Sequence, residues 1–180
     1  MEKTALESLR FPIGRFKLQE NITQDTLRFC IQDIEALPGL IRRAVNNLND
    51  SQLDTQYRPD GWTLRQVIHH VADSHVNSYI RFKWALTEDA PTIKAYDEKK
   101  WAELEEAKTA PVEVSLNLLE ALHRRWVMML KNLSKADLKK TFVHPVSGFA
   151  YTLEVAITLY AWHGKHHLAH IESLKERSNW

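Results

Sequence analysis

The stretch HGKHHLAH, residues 163–170, carries four histidines in eight positions. His163 and His167 are four residues apart, and so are His166 and His170. Residues so spaced share one face of a helix, so either pair can turn two imidazoles toward one ion. Neutral imidazole is the commonest protein ligand for a divalent metal. Three such ligands leave the ion its full double positive charge. An open fourth position is the catalytic pattern, whereas structural zinc is closed by four protein ligands.

Helical geometry separates the two pairs. With ~100° per residue and His163 at zero, Ala156 and Leu174 fall near ~20°, Tyr160 near ~60°, Ile171 near ~80° and Leu159 near ~−40°. The apolar face is centred near ~20°, so His163 at zero and His167 at ~40° straddle it. His166 at about −60° and His170 at about −20° lie to one side. A single histidine on an apolar face is more often a hydrogen-bonded core residue than a ligand. Two on the inward centre, one turn apart, each need partners for two ring nitrogens. One ion supplies a partner to both, and the spacing therefore favours His163 and His167 as ligands.

A third ligand has to come from another element. VIHHVADSH, residues 67–75, offers His69, His70 and His75. Leu64, Val67, Val71, Phe82 and Leu86 mark the apolar side of that segment. His75 sits near the middle of this side, His70 on its edge beside Ser74 and Asn77, and His69 points away. Periodicity alone selects His75, but an edge position can line a cleft between helices. The residues leave the choice at His70 or His75.

The elements that must carry these groups are helical. Thr23 caps a helix expected over 24–48, with Leu27, Cys30, Ile34, Leu37, Ile41 and Leu48 at helical spacing and a kink expected at Pro38. Residues 1–22 read as irregular, with RFPIGRF an extended arm on the body. YRPDGWT is a loop, and Thr63 caps a helix over 64–87. A short helix near 97–107 precedes a longer one over 113–133, whose stripe Val114, Leu118, Leu122, Trp126, Met129 and Leu133 reads as core. Residues 141–152 read as a hairpin turning at Ser147–Gly148. The last helix is expected over 153–176. Four long amphipathic helices predict an all-α four-helix bundle with one small β-hairpin, in a single domain over residues 1–180. Bundles build metal sites in their cores from facing helices.

Composition narrows the function. The chain has 180 residues, 44% hydrophobic and 26% charged, with 24 basic against 23 acidic side chains. A net charge of +1 makes no electrostatic case for nucleic acid or an anionic membrane. The start MEKTALESLRFPIGRF has no apolar core or cleavage pattern of a secretory signal, and no stretch has the ~18 apolar residues of a span. A cytoplasmic location is expected. The lone cysteine, Cys30, forms no intrachain disulfide and reads as a small buried hydrophobe.

The segment GWTLRQVIHHVADSHVNSYIRFK resembles the tryptophan-to-histidine motif of DinB-like helical-bundle proteins. YAWHGKHHLAHI resembles the C-terminal histidine motif of the branch that contains the YfiT-type metal-dependent hydrolases. FPIGRF, LDTQYRPDGWT and AYDEKKWAEL are similar to that branch as well, so the likeness covers nearly the whole chain. In the family one ligand lies eight residues after a tryptophan, which is His70 after Trp62. The other two are the first and the i+4 histidine after the C-terminal tryptophan, which are His163 and His167. The resemblance thus overrides the periodicity that favours His75. It implies a bundle holding one divalent ion per subunit, zinc or nickel, on three histidines and water, in a homodimer that acts on a small-molecule substrate. A related branch joins a low-molecular-weight thiol, bacillithiol, to electrophiles.

The remaining chemistry is less marked. No glutamate directly follows His70, so the general base of helix-borne zinc proteases is missing. Asp73 is placed to orient His70 or to be a solvated charge. Tyr160 reads as a core tyrosine with a satisfied hydroxyl, and Arg81 and Lys83 as a solvated helix face. Trp62, Trp126 and Trp162 read as core or pocket wall. His166 and His170 are assigned no role.

Overall fold

A computed structural model describes residues 3–180. Its elements in chain order are α1 (Lys3–Arg10), α2 (Gln24–Val45), α3 (Asp50–Leu53), α4 (Leu64–Thr87), α5 (Glu98–Ala102), α6 (Glu105–Thr109), α7 (Val112–Lys131), α8 (Lys135–Lys139), β1 (Thr141–Val143), β2 (Ala150–Thr152) and α9 (Leu153–Ser178). The chain is a four-helix bundle with a small hairpin before the last helix. The long helices α2, α4, α7 and α9 close a ring in which α2 and α4 each pack on both α7 and α9.

Local chemistry sets the ends of these helices. The Thr23 hydroxyl accepts from the Thr26 amide at 3.1 Å and starts α2. Thr63 and Gln66 form a reciprocal capping box that starts α4. The Thr152 hydroxyl accepts from the Val155 amide and starts α9 directly from β2. The antiparallel hairpin pairs Thr141 with Thr152, and Gly148 at φ 65° supplies the left-handed turn residue.

Several expectations are corrected. Lys3–Arg10 is helical rather than irregular, and residues 1 and 2 lie outside the described residues. The expected extended arm RFPIGRF instead turns at Pro12–Ile13, where the Gly14 amide donates to the Phe11 carbonyl at 2.9 Å, and it meets the body through Phe11 on His166 and Phe16 on Trp162. The helix expected near 97–107 is two short helices divided near Leu104. The stripe on α7 is rotated. Val114 and Leu118 are 57% and 45% exposed, while Leu116, Leu119, His123, Trp126, Val127 and Leu130 are buried. Helix α2 runs through Pro38, which is buried inside it, and ends at Val45 rather than at residue 48. Arg81 is buried, not solvated, and donates to the Tyr160 hydroxyl at 3.1 Å. That bond satisfies Tyr160 as a core residue.

The core has two apolar halves. One contains Ile34, Phe82, Trp126, Leu153 and Ile157. The other contains Leu37, Ile41, Leu64, Val67, Leu119 and Ile171. The boundary falls between Ile34 and Leu37 on α2, Ala72 and Phe82 on α4, Leu119 and Trp126 on α7, and Ala161 and Leu168 on α9. His75, His123, His163 and His167 all lie within those intervals, so a layer of imidazoles separates the halves.

Helices α2 and α9 meet closely at this layer. A Cβ on Gly164 would run into Cδ2 of Leu37, a side chain that is itself 1% exposed. Overpacking of this kind costs about 1–3 kcal/mol. The gain in helix propensity from glycine to alanine is at most about 1 kcal/mol. Gly164→Ala is therefore expected to lower the melting temperature, and an unchanged or raised value would show that Leu37 yields freely.

Candidate metal centre

Histidines 70, 163 and 167 converge. One ring nitrogen from each lies within 4.8 Å of the other two. His70 comes from the second turn of α4, and the other two come from consecutive turns of α9. Trp62, in the loop before α4, packs on His70 with ring centroids 4.7 Å apart. His75 is outside this cluster and is completely buried at the bundle centre. Periodicity correctly aimed His75 at the core, while the edge position of His70 faces the cleft between α4 and α9.

The cluster forms the floor of a cleft of about 930 Å³. Trp62, Tyr57 and Trp162 stand on its walls, and His166 and His170 line it as well. The size suits a small molecule. Its rim mixes Arg58, Lys99 and Lys108 with Asp60, Glu98 and Glu103, so neither sign of charge dominates. Arg65 on α4 fixes one wall by donating to Asp54 at 2.6 Å and to Asp50 at 2.8 Å. Gln66 donates to the Ala102 carbonyl at 2.7 Å and ties down α5.

The chemistry of the cluster suits a cation. Burial pushes His70 down to about 4, and the neighbouring His166 adds to the shift. Burial, with repulsion from the other imidazoles, pushes His163 and His167 well below the ordinary histidine value. All three rings are therefore neutral at pH 7 and keep a lone pair. His70 makes no hydrogen bond among the described residues, and Nδ1 of His167 is buried without a partner. Unpartnered nitrogens in so dry a place are costly without a ligand. The donor set fits a divalent metal.

The remaining histidines hold the surroundings. His166 stacks between Phe11 of the N-terminal arm and Trp162, with centroids 5.8 Å and 4.6 Å away. Nε2 of His170 donates to the Arg10 carbonyl at 3.2 Å, and its ring stacks on Tyr57. His69 points away from the cluster but is buried. Its Nε2 donates to the Ala110 carbonyl at 3.1 Å, and its Nδ1 accepts from the Ser115 hydroxyl at 2.7 Å. Asp73 makes no hydrogen bond to His70 among the described residues, and burial lifts its carboxyl to about 6. Burial also raises the Cys30 thiol, which is half-buried against the core.

Sequence reasoning missed His123. It is 2% exposed, its Nε2 lies 2.9 Å from Nδ1 of His75, and Nε2 of His75 lies 3.1 Å from Nδ1 of His163. The run Leu116, Leu119, His123, Trp126, Leu130 alternates steps of three and four and carried the signal. The polar residue at its centre hid the stripe.

Comparison with known proteins gives a consistent picture. A model of the DinB superfamily matches residues 33–171. A Bacillus mycoides protein named "Putative metal-dependent hydrolase" is 57% identical over 175 residues, which is 97% of this chain and 100% of that protein. A Bacillus cereus protein of the same name is also 57% identical with the same coverage. The structure of YfiT from Bacillus subtilis, described as a probable metal-dependent hydrolase with an unusual four-helix bundle topology, superposes with a TM-score of 0.94. It is 49% identical, and the match covers 96% of this chain and 99% of that one.

Proposed function

Because this chain belongs to the DinB superfamily, we propose that it is a metal-dependent hydrolase of a small molecule, with His70, His163 and His167 holding one divalent ion. The observation that carries the reading is the set of three converging, neutral imidazoles, His70 and His167 buried and His163 half-buried, lining an open cleft. Zinc is the first choice for three nitrogen donors, and nickel the second. The Bacillus relatives' name supports the metal dependence. When bound, such an ion lowers the pKa of water to around 7, or holds a thiol as thiolate.

The chain's own groups do the positioning. Trp62 packs on the outer face of His70 and limits its rotation. Tyr57, Trp62 and Trp162 line the cleft with apolar ring surface beside the three histidines. His70, His163 and His167 would hold the ion with three protein donors, which would leave it room for a further ligand such as a substrate oxygen.

A second reading is a thiol S-transferase. The cleft volume accommodates a low-molecular-weight thiol together with an electrophile. A panel of hydrolysable substrates and electrophiles, each assayed with and without thiol, separates the two. Thiol-independent turnover that requires the metal supports hydrolysis. Turnover that consumes thiol stoichiometrically replaces it with transfer. Metal bound with neither activity indicates a non-catalytic metal protein.

A further inference from the structure

The polar groups of the buried layer form one continuous chain. Nδ1 of His123 lies 2.6 Å from the Ile34 carbonyl oxygen on α2. Nε2 of His123 lies 2.9 Å from Nδ1 of His75, and Nε2 of His75 lies 3.1 Å from Nδ1 of His163. His75 and His123 are 0% and 2% exposed. No carboxylate is paired with any of the three rings among the described residues. Rings so deep and without a counter-ion are neutral, since an unpaired buried charge is far costlier than a buried neutral ring.

We propose that His75 and His123 are positioning residues, a relay anchored on the Ile34 carbonyl that locks His163 in the tautomer whose Nε2 lone pair faces the cleft. The proposal rests on reading His163 as a metal ligand. Its direction follows from the first link. A carbonyl oxygen only accepts, so Nδ1 of His123 carries the proton and donates. In a neutral ring Nε2 of His123 then accepts, so Nδ1 of His75 is the donor across 2.9 Å. The same logic makes Nε2 of His75 an acceptor and Nδ1 of His163 the donor across 3.1 Å. Nε2 of His163 is left without a proton, so the Ser74 hydroxyl 3.5 Å away can only donate to it. The hydrogen bond at one ring nitrogen decides which nitrogen binds a metal, and that bond here is fixed three residues away from the ion.

Pro38 explains why the anchor exists. In a regular helix the Ile34 carbonyl accepts from the amide of residue 38. Proline has no amide hydrogen, so the carbonyl is free to take His123 instead. Helix α2 thus presents a backbone acceptor at the depth of the imidazole layer, in the middle of an otherwise closed hydrogen-bond ladder.

Two measurements test this. Long-range ¹⁵N–¹H correlation of the imidazoles in the metal-free protein is expected to show Nδ1–H for His123, His75 and His163. A proton on Nε2 of His163 overturns the proposal. Titration with zinc is expected to show affinity about 10–100-fold weaker in His75→Leu than in the wild type. His75→Gln, whose side-chain oxygen can accept from His163, recovers most of that loss. A purely structural role predicts the opposite order, because leucine suits a fully buried site better than glutamine. Wild-type affinity in His75→Leu, or glutamine binding no better than leucine, overturns the relay. A wild-type protein that takes up no zinc yet shows the three Nδ1–H tautomers refutes the metal reading and leaves the relay's tautomer assignment standing.

Discussion

Replacing His163 with alanine abolishes tight zinc or nickel binding and reduces metal-dependent turnover by more than about 100-fold, exceeding the usual loss from a residue that only supports a ligand. His70→Ala and His167→Ala behave alike, because each removes one of the three nitrogens that converge within 4.8 Å. His166→Ala and His170→Ala keep their metal. Those rings stack on Trp162 and Tyr57, His170 also donates to the Arg10 carbonyl, and although Nδ1 of each is buried without a partner neither joins the converging set. Calorimetric titration of the five variants checks the set. Metal retained in His163→Ala and lost in His170→Ala would assign the site to the other i,i+4 pair.

Acid is expected to destabilise the metal-free protein from below about pH 6.5, before ordinary carboxylates begin to titrate. His70 and His123 are depressed to about 4 by burial, and burial with repulsion from neighbouring imidazoles also pushes His75, His163 and His167 well below the ordinary histidine value. In the unfolded chain each titrates near 6.5. The unfolded state therefore takes up more protons as pH falls below about 6.5, and stability drops from there. An imidazole held neutral from 6.5 down to about 4 represents roughly 3 kcal/mol. A few such groups rival the whole stability of a typical domain, about 5–15 kcal/mol, so unfolding should be complete before pH 4. Bound metal competes with those protons and moves the transition to lower pH. Denaturant titrations from pH 7.5 to 4.5, with and without zinc, measure both effects. Constant stability of the metal-free protein across that range would contradict the neutral imidazole layer.

Much of the bundle was legible because its signals are local. Thr23 and Thr63 mark helix starts by side-chain capping, and Ser147–Gly148 marks the hairpin turn. Helix α9 gave up its inward face because apolar residues flank His163 and His167 on both sides. Helix α7 did not, since Val114 and Leu118 extend a plausible stripe that is in fact exposed, while His123 interrupts the real one. Helix α1 was missed, being two turns long and followed at once by Pro12 and Gly14.

The choice between His70 and His75 shows where periodicity stops. Facing alone separates buried from exposed positions, and both residues are buried. What distinguishes them is which neighbouring helix they meet. Both touch α9, but His75 also reaches α7 through His123 and is closed off inside the bundle, whereas His70 borders the cleft. That is tertiary information, and the sequence carried it only through resemblance to the DinB-like motif. Pro38 is a similar case. Its cost to the helix was readable, but its use required knowing that His123 sits opposite Ile34.

The central claim is that three histidines on a cleft floor hold one divalent ion. Elemental analysis of the untagged protein, purified without chelator and dialysed against metal-free buffer, tests it most directly. About one zinc or nickel ion per chain is the predicted result for a three-nitrogen site. No ion bound, even after either metal is supplied in excess, would contradict the account.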